Sequence, residues 1–197
     1  MPLETFLALI VYAFVTSVTP GPNNMMLMAS GVNFGFKRTL PHMLGIALGF
    51  FVLLLSVGFG LGAVLLAVPA AQTALKIASV AYMVWLAWKV AMSRSIGEGT
   101  ASAKPLTLLE AAAFQWVNPK AWAMALVAMG AYTNADHPVL SVVLVGVAFA
   151  VVNFPSVSVW AGFGVALRGY LADPRRLRVF NGLMGLALLL SIVPILF

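Results

Sequence analysis

Apolar runs of about twenty residues or more, separated by short polar clusters, fill almost the whole chain. A helix needs about 20 mostly apolar residues to cross a bilayer. Six stretches qualify, at about 4–31, 41–67, 70–91, 108–133, 138–166 and 177–197. Several exceed the minimum, which fits tilted, kinked or broken helices. The pattern predicts an all-α integral membrane protein with six transmembrane helices.

Proline placement supports this division. Pro41, Pro69, Pro105, Pro138 and Pro174 fall at or near helix starts or loops, where proline is tolerated. Pro20, Pro22, Pro119 and Pro155 fall inside spans. Proline lacks a backbone donor and clashes with the preceding turn. Within a bilayer the freed backbone groups need partners from protein or from a polar cavity. Two interruptions stand out. The first is Thr19-Pro20-Gly21-Pro22-Asn23-Asn24, and the second is Asn118-Pro119-Lys120.

Charge fixes a topology. Lys37 and Arg38 lie in the first loop. Lys89, Arg94 and Lys104 flank the third, and Arg168, Arg175, Arg176 and Arg178 flank the fifth. With six spans, all the basic residues except Lys76 and Lys120 then lie on one side. The loops around Pro69 and Asp136-His137 contain neither lysine nor arginine. The positive-inside rule places both termini outside, whereas five or seven spans would scatter the charge over both faces.

Pro20 and Pro119 are about half a chain apart, and each half has three spans. An odd number of spans makes the second half inverted relative to the first. The expected organisation is one transmembrane domain over 1–197. Repeat one covers about 1–91, a linker about 92–107 and repeat two about 108–197, with helices 1 and 4 broken near the midplane. Broken helices at matching places in two halves point to a transport site.

Composition narrows the class. The chain is 62% hydrophobic and 8% charged, with mean hydropathy +1.04. Soluble domains carry about 25% charged residues, so an ordinary globular enzyme and a disordered chain are both excluded. With no cysteine, disulfides, thiolate chemistry and Cys-based metal sites are excluded too. The net charge of +6 sits in short loops as membrane topology demands, so no nucleic-acid partner is expected. There is no Walker A loop, no metal-ligand cluster and no nucleophilic arrangement. No catalytic residue, metal or cofactor is therefore expected. The start Met1-Pro2-Leu3-Glu4 is acidic, and no small-residue cleavage site follows the first run. The first segment is read as a retained helix rather than a signal peptide.

The candidate site gathers at the breaks formed by Pro20, Gly21, Pro22 and Pro119. Asn118 fits an N-cap, with Pro119 at the first helical position. Thr19 or Asn23 could cap a second half-helix in span one. Half-helix N-termini carry unpaired amides and partial positive charge, which favour an anionic group such as a carboxylate. Lys120 lies deep in span four, where a lysine costs about 2.5–3.5 kcal/mol on insertion scales. It should face a polar cavity, to hold a substrate carboxylate or to carry a proton. The structural alternative is a contact to carbonyls freed at the break. Asn23, Asn24 and Gln115 add neutral hydrogen-bonding groups suited to a zwitterion.

Other features read more simply. Asn153-Phe154-Pro155 is a third, weaker polar break, read either as lining the cavity or as a kink filled by helix packing. Gly45 and Gly49 form a GxxxG pair, expected at a close helix contact within the bundle or at a dimer face. His42 reads as interfacial, and Lys76 as snorkelling outward. Trp85, Trp88, Trp116 and Trp122 read as aromatic bulk, with Trp88 suited to the interface belt. Glu110 reads as lying among headgroups or greeting a cationic substrate.

These motifs resemble the LysE/RhtB family of bacterial amino-acid exporters over essentially the whole length. The resemblance rests on Thr19-Pro20-Gly21-Pro22-Asn23 and on Gly35-Phe36-Lys37-Arg38 leading into Pro41-His42-Met43-Leu44-Gly45-Ile46. Tyr82 through Lys89 and Phe114-Gln115-Trp116-Val117-Asn118-Pro119-Lys120-Ala121 complete it. It implies a multi-pass exporter of the bacterial inner membrane, a homodimer among lipids, driven by the proton gradient or by exchange. It also implies amino acids or close relatives as small-molecule substrates. With no acid at midplane, neutral amino acids are expected over lysine or arginine. Two other classes remain at this stage: an ion or metal efflux protein on a related scaffold, and a non-transporting membrane subunit.

Overall fold

The computed structural model describes residues 1–93 and 104–193. Arg94, most of the expected linker and the last four residues of the sixth stretch lie outside the described residues. Among those described, all regular structure is helical. The first apolar stretch forms α1 (Leu3–Val18) and α2 (Pro22–Phe34), bent by 54° at the Thr19-Pro20-Gly21 break. The second forms α3 (Phe36–Ser56), a π turn over Val57–Leu61 and α4 (Gly62–Ala67). Next come α5 (Pro69–Ala91), α6 (Leu108–Phe114) and α7 (Pro119–Tyr132), then α8 (Pro138–Leu167) and α9 (Pro174–Leu190). A single 3-10 turn, Gln115–Val117, joins α6 to Asn118.

Three helical stretches are long and apolar enough to cross a membrane: Phe36–Ala67, which is kinked at Gly60 (φ 117°), Pro69–Ala91 and Pro138–Leu167. The bent pair α1 and α2 makes a fourth if taken as one span. Large apolar side chains cover the outside, among them Leu3, Val11, Trp88, Val151 and Val179. Such a surface suits lipid rather than water.

The helix starts follow proline chemistry. Pro69, Pro138 and Pro174 each open a helix, where their missing N–H costs nothing. Pro41 departs from the sequence expectation, because α3 begins five residues earlier, at Phe36, with Pro41 inside it. Gly35 explains the earlier start. Its φ of 79° lets the chain leave α2 and turn straight into α3. The third expected break is absent as well, since α8 runs continuously through Pro155. There Ser156 donates its hydroxyl to the Val152 carbonyl at 2.7 Å, within the turn that the proline disturbs.

Packing relies on small residues. A Cβ on Gly31 of α2 would run into the Ala161 backbone of α8, and one on Gly164 of α8 would run into the Met28 backbone of α2. Gly45 and Gly49 bring α3 against Leu108, Ala111 and Ala112 of α6. The GxxxG pair is thus a contact within the bundle. Without a hydrophobic difference between lipid and helix, this backbone proximity supplies van der Waals attraction. The main core layer joins Leu9, Phe50, Leu53, Ala125, Val145 and Phe149. Phe149 meets Phe50 edge-on at 5.4 Å between ring centroids, a favoured aromatic geometry.

Candidate functional site

The two breaks lie against each other, and each supplies groups that the other lacks. A helix that stops inside a bilayer leaves carbonyls without partners. At the end of α1, Asn24 donates its side-chain amide to the carbonyls of Ser17 (2.9 Å) and Thr19 (2.8 Å). Trp160 of α8 donates its indole N–H to the Val18 carbonyl at 3.1 Å. Lys120 Nζ, from the second break, donates to the Thr19 carbonyl at 2.8 Å, the Thr19 hydroxyl at 3.0 Å and the Pro20 carbonyl at 3.4 Å. At the second break, Trp122 donates its indole N–H to the Trp116 carbonyl at 2.9 Å.

The half-helix starts differ in their capping. Asn118 caps α7 as expected, its side-chain oxygen accepting from the Lys120 N–H at 3.1 Å. For α2 the expectation fails: the cap position is Gly21, and no side chain caps it. Thr19 is two residues too early and is engaged by Lys120. Asn23 lies one residue inside the helix, and its side chain turns across to Gln115. The Asn23 amide donates to Gln115 Oε1 at 2.9 Å, and Gln115 donates back to Asn23 Oδ1 at 3.2 Å. Gln115 also donates to the Ala111 carbonyl at 2.9 Å.

These groups enclose a small polar chamber with a volume of about 20 Å³, room for roughly one water. Asn23, Asn24, Gln115, Asn118 and Lys120 all line it, so the structure brings the five sequence-selected residues together. Gly21 and Pro22 of the first break line it too, with Phe50, Met124 and Val157 as apolar wall. Lys120 is the single formal charge in the lining, which contains no carboxylate and no imidazole. The lining therefore combines one cation with neutral carboxamides and hydroxyls.

Two further members were not selected from the sequence. Ser17 and Asn153 both line the chamber, and Asn153 donates its amide to Ser17 Oγ at 3.1 Å. Asn153 Oδ1 is buried with no protein partner, a cost of about 1–3 kcal/mol unless a ligand or water bonds to it. Of the two readings of the Asn153-Phe154-Pro155 motif, the lining one matches this position of Asn153. The asparagine is held on an intact helix.

Other expectations are corrected. His42 is not interfacial but buried, at 1% exposure, with neither ring nitrogen hydrogen-bonded. The early start of α3 puts it in the second turn, among neighbouring helices. Glu110 is exposed and lies outside the chamber lining. It completes a capping box with Thr107, accepting from the Thr107 N–H at 2.8 Å and the Thr107 hydroxyl at 2.9 Å. Lys76 is exposed. Trp88 is 67% exposed. Trp122 is buried against Trp116.

With this geometry in place, the comparisons identify the class. Residues 14–193 match the LysE type translocator family, and the chain belongs to that family. Among its relatives is the cysteine/O-acetylserine efflux protein of Escherichia coli (strain K12), 33% identical over 92% of this chain and 90% of that one. The proteins of that name from Shigella sonnei (strain Ss046) and Shigella flexneri show the same identity and coverage. No solved structure matches the chain.

Proposed function

We propose that this protein exports amino acids with uncharged side chains, or close derivatives, across the bacterial inner membrane by alternating access. The observation that carries this reading is the chamber itself. One lysine and a ring of carboxamides enclose a site where two half-helices begin. The substrate carboxylate meets Lys120 and the α7 amides, drawing Lys120 away from Thr19. Asn23 and Asn118 set its orientation, and Asn153 Oδ1 accepts from the ammonium. Lys120 is half-buried, and its charge-assisted bonds to a carboxylate are stronger than those to a carbonyl.

Six spans in two inverted three-helix repeats complete the reading, with the basic loops and the linker inside and both termini outside. The helix contacts support it. α1 and α2 pack on α8 while α6 packs on α3, α3 packs on α8, and α5 packs on α9. Exchanging the first three spans for the last three maps this set onto itself. The relatives' named cargoes, cysteine and O-acetylserine, have uncharged side chains, which agrees with a chamber lacking a carboxylate. The same lack gives no hard-ligand site for a metal ion. Coupling is by proton movement or by exchange, with the two halves rocking about the chamber.

The test is efflux from preloaded cells that lack their own exporters. The panel comprises cysteine, O-acetylserine, threonine, homoserine, leucine and lysine. Faster loss of one or more neutral members is expected. Lysine leaving well ahead of every neutral member would overturn the selectivity. No loss of any member, with the protein present in the membrane, would overturn export.

A further inference from the structure

A second and much larger cavity lies one level along the same helices from the chamber. Its volume is about 570 Å³, within the range of about 300–1,000 Å³ found for small-molecule sites. Lys89 and Lys104 contribute to its lining, which places it at the end of the bundle that carries the basic loops. Besides the two lysines, Ser30 and Asn33 of α2, His42 of α3, Ser93 and Glu110 interrupt its apolar wall. His42 is 1% exposed and both its ring nitrogens lack a protein partner. A buried imidazole left unbonded in this way is costly unless a polar guest reaches it.

The two spaces share helices. Asn23 lines the chamber, while Met26, Ser30 and Asn33 line the large cavity. Steps of three, four and three residues place all four on one stripe of α2. The second half shows the same passage: Glu110 lines the large cavity and Gln115, just beyond α6, lines the chamber. At the crossing stands the reciprocal Asn23–Gln115 amide pair, at 2.9 and 3.2 Å. Phe114, next to Gln115, and Met26, one turn on from Asn23, pack in one core cluster.

We infer that the large cavity is the intake vestibule and that the Asn23–Gln115 pair is the gate between it and the chamber. This rests on the transport reading for its purpose, but its geometry stands apart from it. The pair has the right chemistry for such a gate. Each carboxamide offers one acceptor oxygen and one donor nitrogen, and in the closed state they satisfy each other. An amino acid brings a carboxylate that accepts and an ammonium that donates. It replaces both bonds of the pair with charge-assisted ones, which are shorter and stronger. A simple amine or an apolar solute replaces one bond or neither. The gate thus opens to the zwitterion, and His42, Ser30 and Asn33 give that zwitterion polar stations on the approach.

The chain has no cysteine, so single introduced thiols report access cleanly. Ser30→Cys marks the vestibule and Ser17→Cys marks the chamber. Both are labelled with a charged, membrane-impermeant methanethiosulfonate in vesicles of each orientation. Ser30→Cys should react from the basic-loop side and not from the other. Ser17→Cys should be protected from the basic-loop side, and adding Gln115→Ala should speed its labelling from that side at least tenfold. Ser30→Cys labelling in the same Gln115→Ala background should stay unchanged, which reports an intact fold. If Gln115→Ala fails to reach the membrane, Asn23→Ala opens the same pair.

The inference is overturned if Ser30→Cys reacts only after denaturation or from the opposite side. It is equally overturned if the Ser17→Cys rate is indifferent to loss of the amide pair. None of these readings requires transport. A protein that labels as expected but exports nothing would sink the export reading alone, and an active exporter that labels otherwise would sink the gate alone.

Discussion

Lys120 and Thr19 join the two broken helices: the ammonium at the start of α7 bonds both the carbonyl and the hydroxyl of the residue that ends α1, at 2.8 and 3.0 Å. A lysine so placed is a strut between the breaks. In the proposed mechanism a substrate carboxylate takes over the ammonium, and the first break then loses its support.

Removing the strut should show first in stability. Lys120→Ala leaves the Thr19 and Pro20 carbonyls without their ammonium partner, a loss of about 1–3 kcal/mol. Thermal unfolding in detergent should move to lower temperature. Lys120→Arg keeps the charge but alters its shape, and should recover part of the stability more readily than the export.

Asn24 supports the same break without contributing charge. Its amide bonds the Ser17 and Thr19 carbonyls, so Asn24→Ala should cost about 1–3 kcal/mol. Asn24→Asp turns the donor into an acceptor facing two carbonyls and should be worse than alanine. Comparing the two unfolding midpoints checks the direction.

The α2–α8 contact tolerates no side chain. Gly31→Val would drive two methyl groups into the Ala161 backbone, and Gly164→Val would do the same to Met28. Overpacking of this kind costs about 1–3 kcal/mol and more where backbone cannot yield. Both variants should lower the yield of folded protein in size-exclusion profiles. Gly182→Ala, with open space around the position, should not.

Thr107 and Glu110 form the capping box that starts α6. Thr107→Ala removes half of the capping box and should cost about 0.5–2 kcal/mol. Cargo preference measured across neutral and basic amino acids should stay the same.

Asn153 tests the chamber from the opposite wall. Asn153→Leu removes the unpaired acceptor and the bond to Ser17 while roughly keeping volume. Export should fall at least tenfold although the protein remains folded, because the substrate ammonium loses its acceptor. Unchanged export would remove Asn153 from the site.

The local chemistry of the breaks was legible from sequence. Proline without an N–H fixes where α1 stops and where α2, α7, α8 and α9 begin, and Asn118 before Pro119 was a readable cap. What depended on distant contacts was not readable. Asn23 fits a cap or a site group by its position, but its partner Gln115 stands 92 residues away, across the 54° bend between α1 and α2. Pro41 suggests a helix start, yet Gly35 has already turned the chain, and the shift of one turn buries His42. Pro155 suggests a break, but α8 runs through it, and the adjacent Asn153 lines the chamber. For Lys120 both the polar cavity and the carbonyl contact were anticipated, and they coexist in one geometry.

The most direct measurement is counterflow of a labelled neutral amino acid in proteoliposomes, with wild-type protein beside Lys120→Ala, each first shown to be folded and monodisperse. Rapid uptake against an unlabelled internal pool by the wild type, abolished in Lys120→Ala, is the predicted result. A folded Lys120→Ala protein that exchanges at the wild-type rate would contradict the claim that the carboxylate binds at this lysine.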